Sequence, residues 1–409
     1  MSVSVAAPAP RPSRALLLNL LGQLAFGLLA MTICLPSMQE WGSLLGGGPA
    51  AVQLTFSAYV IAYGVLQLLY GPLSDRVGRQ RALLVGLGLA VVGSVWAALA
   101  TSLPMLTLAR TVQGAGCAAG AVVGRAMVQD LFQGPQRTRV MAYVGMVMGL
   151  CPPLATVVGG QIHVHFGWRA NFVLLAVMGV GLWVAAWRGL PAHRPSQEVQ
   201  PHWLRAMLSS YALLGRQPVF LLFVSVLGMT SATFYAFLAG APIVLGTYGV
   251  GPGEVGFYIM LVPFSYIAGN YLTARLSMAK GEHSMMFWGQ ALTVLGVCLM
   301  GLLAWMDVRS PLAFAIPLMA TGFGNGLLIP PALAGTVGLV PALAGSAAAV
   351  AGLMQQLMGA AGGLGVGLLP TVNAGNMAVL MLAAALVGVV AQYGLYRVRG
   401  PSPGPKRVM

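Results

Sequence analysis

The sequence predicts an all-α membrane protein: twelve transmembrane helices in two six-helix bundles, with both termini cytoplasmic. Three observations lead there. Of 409 residues, 58% are hydrophobic and only 7% charged, with a mean hydropathy of +0.84. Soluble chains carry about 25% charged residues, so most of this surface has to face lipid. Apolar runs near the ~20 residues that a helix needs to cross a bilayer recur twelve times. Finally, the basic residues are spread unevenly about those runs, and short cytoplasmic loops retain Lys and Arg.

The runs fall near 15–36, 52–71, 82–100, 104–127, 139–162, 169–188, 218–240, 254–275, 285–304, 311–330, 345–368 and 374–396. Residues 1–13, rich in Ala, Pro and Ser, read as a disordered cytoplasmic tail. The run after them exceeds the ~7–15-residue core of a cleavable signal peptide and is expected to stay as the first span. The bundles are expected over 14–188 and 218–396, joined by a cytoplasmic linker at 189–217 and followed by a tail at 397–409. The linker carries Pro191, Pro195 and Pro201 and reads as a passive, partly helical connector. All but four of the 21 Lys and Arg residues lie on the side of the N-terminus; Arg169 and Arg309 lie opposite, and Arg110 and Arg125 fall within a span.

The net charge of +14 is scattered singly and in pairs, which marks topology and excludes a nucleic-acid partner. Cys34, Cys117, Cys151 and Cys298 all sit in apolar runs without ligand spacing. Neither a metal, a disulfide nor a cofactor is expected. Two halves of six spans suit a carrier whose substrate site lies between bundles that rock against each other.

Five segments carry chemistry. After the second span, Gly71-Pro72-Leu73-Ser74-Asp75-Arg76-Val77-Gly78-Arg79-Gln80-Arg81 offers Gly71 for helix packing, Gly78 for a tight turn, and charges that can latch neighbouring helix ends. A weaker echo, Gly269 to Arg275 with Lys280-Gly281, stands at the equivalent place in the second half. In the fourth span, Arg110, Gln113, Gly114, Cys117, Ala121, Gly124 and Arg125 share one helical stripe that is expected to face a cavity. A charge at the middle of a bilayer helix costs about 2.5–3.5 kcal/mol on insertion scales, so Arg110 is expected to serve a function; the alternative is a snorkelling residue, and Arg125 is open to both readings. The same span ends in Asp130, and Asp75, Arg79 and Asp130 are expected to form a gate latch; a static surface pair is the alternative. In the fifth span, Gly145, Gly149, Gly159 and Gly160 are expected to pack helices closely, with Pro152 and Pro153 bending it.

These strings resemble the major facilitator superfamily. The loop segment matches its G-x-x-x-D-R-x-G-R-R/K signature except at Gln80, and Leu108 to Gly116 resembles motif B of its drug/proton antiporters. The fifth span keeps Gly159-Gly160 of motif C but has Ala155-Thr156 in place of Gly-Pro. With Phe237-Leu238-Ala239-Gly240-Ala241-Pro242, Glu254-Val255-Gly256-Phe257 and Gly345-Ser346-Ala347, the chain is most similar to the Bcr/CflA drug-resistance subfamily. The resemblance implies the major facilitator fold, a monomer in a bacterial inner membrane, and efflux of antibiotics or metabolites in exchange for protons. It also implies that Asp130 approaches Arg79.

One departure bears on coupling. The acids are Glu40, Asp75, Asp130, Glu198, Glu254, Glu282 and Asp307, and none lies mid-span. Relatives carry an Asp in the first span at the position of Thr32; Glu40 is either a substitute or an exposed loop acid, the second being favoured. A cavity with Arg110 and no acid favours neutral or anionic substrates. Thr32, Tyr59, Tyr63, Phe234, Tyr235, Phe237, Tyr266, Asn325 and Gln355 are the candidate lining residues. A metabolite facilitator or importer is the competing function. No H-E-x-x-H, G-x-S-x-G or P-loop points to an enzyme.

Overall fold

The computed structural model describes residues 14–132, 134–191, 203–340 and 343–399. These fold into helices α1 (Arg14–Thr32), α2 (Met38–Leu45), α3 (Pro49–Val77), α4 (Arg79–Ala98), α5 (Leu103–Leu131), α6 (Gly134–Phe166), α7 (Trp168–Gly189), α8 (Trp203–Gly215), α9 (Pro218–Thr247), α10 (Pro252–Ile259), α11 (Leu261–Lys280), α12 (Glu282–Trp305), α13 (Pro311–Gly338), α14 (Ala344–Gly367) and α15 (Ala374–Arg399). Among the described residues, eleven segments are long and apolar enough to cross a membrane, with α10 and α11 counting as one. The expected fourth span, α5, is not among them. Its 29 residues include Arg110, Gln113, Arg125, Gln129 and Asp130, and it packs along α3 and α4 with Arg110 and Gln113 buried.

Two of the expected spans are broken by proline. The first stops at Thr32, turns, and resumes as α2. Pro36 has no N–H for the Thr32 carbonyl, which instead accepts from Leu35 N at 3.1 Å. Pro263 likewise leaves the Ile259 carbonyl without its helical donor, and the eighth span divides there into α10 and α11. Elsewhere the helices outrun the apolar runs: α3 continues through the charged segment to Val77, and Gly78 makes the turn into α4 at φ 94°.

Helices α1–α7 pack mainly on one another, as do α9–α15, and the two sets meet along α3 with α14 and α6 with α10 and α11. Helix α8 lies in the expected linker. The tail at 1–13, residues 192–202 of the linker and residues 400–409 of the second tail lie outside the described residues, and α15 carries helix past the expected bundle end at 396 to Arg399.

Candidate functional site

A cavity of about 330 Å³ lies between the two sets of helices. Leu28 and Met31 of α1 and Met148, Gly149 and Pro152 of α6 form one wall; α9, α11, α13 and α14 form the other. Five of the nine candidate lining residues are on it: Phe234, Tyr235, Tyr266, Asn325 and Gln355. The Tyr235 hydroxyl donates to Gln356 Oε1 at 2.9 Å, and its ring meets Phe56 of α3 edge-on at 5.9 Å, so one residue contacts both sets. A larger cavity, about 810 Å³, lies near Asp307 and Arg309 but is lined by α9, α12, α15 and their loops alone. Only the smaller one has the two-sided lining that a carrier needs.

The other four candidates are elsewhere. Thr32 is buried and donates to the Leu28 carbonyl at 2.9 Å. Tyr59 donates to the Gly27 carbonyl at 2.7 Å and stacks on Tyr63, centroids 6.0 Å apart. Phe237 packs between Phe234 and Phe314. Sequence reasoning missed Thr230, Ser231, Met31, Met148 and Gln356, which do line the cavity. Gln356 carried a signal as the neighbour of Gln355; Met and Ser in apolar runs carried none.

The fourth-span stripe does not face this cavity. Arg110 is 0% exposed, with its guanidinium 4.2 Å over the Tyr59 ring and 5.9 Å from the centroid of Phe172. Its Nη1 donates to the Ala30 carbonyl at 2.8 Å and to Gln113 Oε1 at 2.5 Å, and Gln113 Nε2 donates to Ser94 Oγ at 2.8 Å. Gly114 sits against the Tyr59 backbone, where a Cβ would come within 2.4 Å of the carbonyl oxygen. The stripe's small residues bring α3 and α1 so close to α5 that Arg110 is sealed among them. Arg125 is the guanidinium that reaches the cavity wall, with Nη2 3.8 Å from Met148 Sδ.

At one end of the bundle Arg79 is held by two carboxylates, Asp75 Oδ1 at 2.6 Å and Asp130 Oδ2 at 3.1 Å, and donates to Ser74 Oγ at 2.7 Å. Arg76 adjoins them half-buried, and Gly71 stands at ordinary spacing from Val122 of α5. Gln80, the departure from the loop signature, donates to the Ala186, Trp187 and Leu190 carbonyls at 2.9–3.0 Å and so caps the end of α7.

At the other end, hydrogen bonds tie the two sets together. Gln39 Nε2 donates to the Pro242 carbonyl at 2.5 Å, Gln53 Nε2 to Ala239 at 2.8 Å, and Gln161 Nε2 to Gly253 at 2.8 Å. Of the fifth-span residues, Gly160 permits this seam, since a Cβ there would lie 2.2 Å from the Pro252 oxygen, while Gly159 packs within the first set, where one would lie 1.8 Å from the Ile33 oxygen. Gly149 touches Ile267 at ordinary distance, Gly145 faces open space, and Pro152 lines the cavity while Pro153 is buried. Glu40, favoured above as an exposed loop acid, is instead bonded to His163 of α6 beside this seam. No group of three or more His, Cys, Asp or Glu among the described residues could hold a metal.

The model of the Major Facilitator Superfamily matches residues 17–363. The chain is 30% identical over 382 residues to multidrug resistance protein D of Escherichia coli, covering 92% of this chain and 94% of that one. It is 29% identical over 378 residues to a chloramphenicol resistance protein of Pseudomonas aeruginosa, covering 91% and 88%. Against a bicyclomycin resistance protein homolog of Haemophilus influenzae it is 28% identical over 368 residues, covering 88% and 91%. The two-sided cavity, the Asp75–Arg79–Asp130 contacts and these full-length matches agree: the chain belongs to the Major Facilitator Superfamily, in its Bcr/CflA-type branch.

Proposed function

We propose that this protein is a secondary transporter of a bacterial inner membrane that exports small, uncharged or anionic antibiotic-like compounds in exchange for protons. It works as a monomer of twelve spans, α5 being the fourth, with bundles at 14–188 and 218–396 and both termini cytoplasmic. The bundles alternate access to the cavity between them, and the Asp75–Arg79–Asp130 cluster is the latch on the cytoplasmic side. The observation that carries the reading is the cavity lining: aromatic rings and amides of the second set of helices face Leu28, Met31, Met148 and Pro152 of the first, with no acid or base among them. Such a wall desolvates an uncharged ligand at little cost and holds it by a few polar contacts. Chloramphenicol, named in one relative, is an uncharged aromatic compound of that kind.

The test is accumulation of chloramphenicol, an anionic antibiotic and a lipophilic cation in bacteria lacking their own exporters. Lower accumulation of the first two, abolished by a protonophore and by Asn325→Leu, is expected. Protection against the cation alone would refute the reading. The absence of an acid from the cavity wall favours one competitor, a facilitator, which predicts fluxes insensitive to the protonophore.

A further inference from the structure

Helix α12 ends in a left-handed turn. Asp307 N donates to the Ala304 carbonyl at 3.1 Å and Val308 N to that of Leu303 at 3.0 Å, with Asp307 at φ 55°. Glycine is the usual residue at that place, and Asp307 is the one non-glycine with positive φ among the described residues. A carboxylate is also disfavoured there by charge, because the C-terminus of a helix carries partial negative charge. Arg309 Nε offsets this with a hydrogen bond to Asp307 Oδ1 at 2.8 Å, but the two side chains are 74% and 75% exposed, and exposed pairs stabilise little. An acid kept against both backbone and dipole calls for a reason beyond the turn itself.

The cavity of about 810 Å³ described above supplies one. Asp307, Arg309 and Tyr248 line its outer end. Tyr248 lies in the field of both charges: burial raises its phenol pKa, Arg309 lowers it and Asp307 raises it further. From there the cavity descends between α12 and α15, past Ala304, Gly301 and Cys298 on one side and Ala374, Ala378 and Leu382 on the other. Trp305, 84% exposed, stands at the mouth as interfacial aromatic residues do, and Cys298 lies ~10 Å below it along the helix axis. The lining is thus charged at the level of the headgroups and apolar beneath. At Cys298 the cavity meets an apolar furrow that follows the same two helices past Val294, Leu295, Leu386 and Val389.

This gradient specifies an occupant. A soluble zwitterion would leave the apolar half to water, and a hydrocarbon would leave both charges unused. A phospholipid carrying an ammonium uses all of it. A primary ammonium suits Asp307 better than a quaternary one, because it brings N–H donors to the carboxylate. Arg309 is the partner for the phosphate. The N-terminus of α15 adds no rival anion site, since Asn373 Oδ1 already accepts from Asn376 N at 2.8 Å.

We propose that the cavity at the Asp307 end of α12 and α15 holds a zwitterionic phospholipid with a primary-ammonium headgroup, its ammonium on Asp307, its phosphate on Arg309 and one acyl chain in the furrow past Cys298. The site is separate from the central cavity, whose lining includes no residue of α12 or α15. With both termini cytoplasmic, as proposed above, the lipid comes from the outer leaflet; the recognition itself does not depend on the transport reading.

The experiment uses the full chain in phosphatidylcholine nanodiscs doped with phosphatidylethanolamine or phosphatidylglycerol, each carrying the same diazirine in one acyl chain, with adducts mapped by mass spectrometry. The two probes share phosphate and chains, and only the first has an ammonium. Expected is labelling of peptides over 297–305 and 374–382 by the ethanolamine lipid at about fivefold the level given by the glycerol lipid, the ratio that suits an ion pair at an exposed site. Asp307→Asn, whose side chain tolerates the left-handed turn, is expected to abolish the preference. Equal labelling by both probes, stronger labelling by the glycerol lipid, or none at these peptides overturns the proposal. A preference that survives Asp307→Asn also overturns it, because the carboxylate would then not be the partner. The comparison of the two probes on the unaltered chain stands whether or not the variant folds.

Discussion

His163 Nε2 lies 3.0 Å from Glu40 Oε2, and the same imidazole meets Ser37 Oγ through Nδ1 at 2.9 Å. The ring is 8% exposed and the carboxylate about half-exposed, so a buried base on α6 clasps an acid on α2 that the solution can reach. The residue before that acid, Gln39, bonds across to Pro242 and Val250 of the other set. Helix α2 is thus held from both sides at the seam. The other ionisable groups on the packed elements are engaged or turned away: His165 bonds to the Gln161 carbonyl, Arg169 to Ala100, Glu254 is exposed, and Arg110 lies against Phe172.

The acceptor in this clasp is a carboxylate, and hydrogen bonds to an ionised partner are roughly twice as strong as neutral ones. Removing that charge is therefore expected to loosen the joint that α2 makes. Cys34, buried at the joint between α1 and α2, reports it. Maleimide labelling of Cys34 should rise severalfold in Glu40→Gln over the unaltered chain at the same pH. An unchanged rate would show that the clasp does not hold the joint.

Arg79 shared between Asp75 and Asp130 allows a second prediction. Exposed ion pairs contribute about 0–1 kcal/mol, so as a static contact the cluster would matter little to either stability or rate. As a latch it acts on the exchange between conformers. Asp130→Asn is expected to move the thermal midpoint by no more than a few degrees while lowering chloramphenicol efflux about tenfold. Unchanged efflux would reduce the cluster to a surface pair.

The uncharged cavity wall yields a third. An acid introduced there gives a cationic ligand a partner and an anionic one a repulsion, each acting in a medium of low dielectric. Gln355→Glu is expected to confer efflux of a lipophilic cation such as ethidium and to abolish export of anions. Failure of the cation to gain, with the variant properly inserted, would place the binding path away from Gln355.

The network around Arg110 permits a fourth. Among the described residues its Nε and Nη2 have no hydrogen-bond partner and no carboxylate forms an ion pair with it, and Gln113 supplies one of its two acceptors. Hydrogen bonds to a charged group are worth about 1.5–3 kcal/mol, and loss of Gln113 also strips Ser94 of its donor. Gln113→Leu is expected to lower the thermal midpoint by several degrees in detergent, and Arg110→Met/Gln113→Leu to recover part of the loss because the buried charge goes with its acceptor. No recovery would mean that stacking on Tyr59 outweighs the charge.

Much of the architecture was legible because lipid imposes one requirement, about 20 apolar residues per crossing, and the runs satisfy it nearly everywhere. The exception is α5, whose burial between α1, α3 and α4 frees it from that requirement, so its polar residues lower its apolarity without exposing them to lipid. Charges at helix ends were legible too, since Asp75 and Arg79 are one turn apart. The direction of the Arg110 stripe was not. A helix with several neighbours has several candidate faces, and a sequence gives the spacing of a stripe without the identity of what packs on it. Tyr59 takes the place that spacing alone left to a cavity. The Glu40–His163 contact joins residues 123 positions apart and had no local pattern to announce it.

The seam at Gly160 supports a final prediction, on conformational cycling. Its Cα faces the Pro252 carbonyl so closely that a Cβ would sit 2.2 Å away, and Gln161 bonds to Gly253 at the same crossing. Neither backbone can yield without parting α6 from α10. A carrier must reopen this crossing in the other half of its cycle, where a larger side chain meets no such limit. Gly160→Val should therefore leave insertion intact, hold the bundle open at the Glu40 end, and stop export. Spin labels placed at Ser43 and Gly249 would report a distance several Å longer in the variant than in the unaltered chain. An unchanged distance with normal efflux would mean that the crossing loosens in the resting state and is no part of the gate.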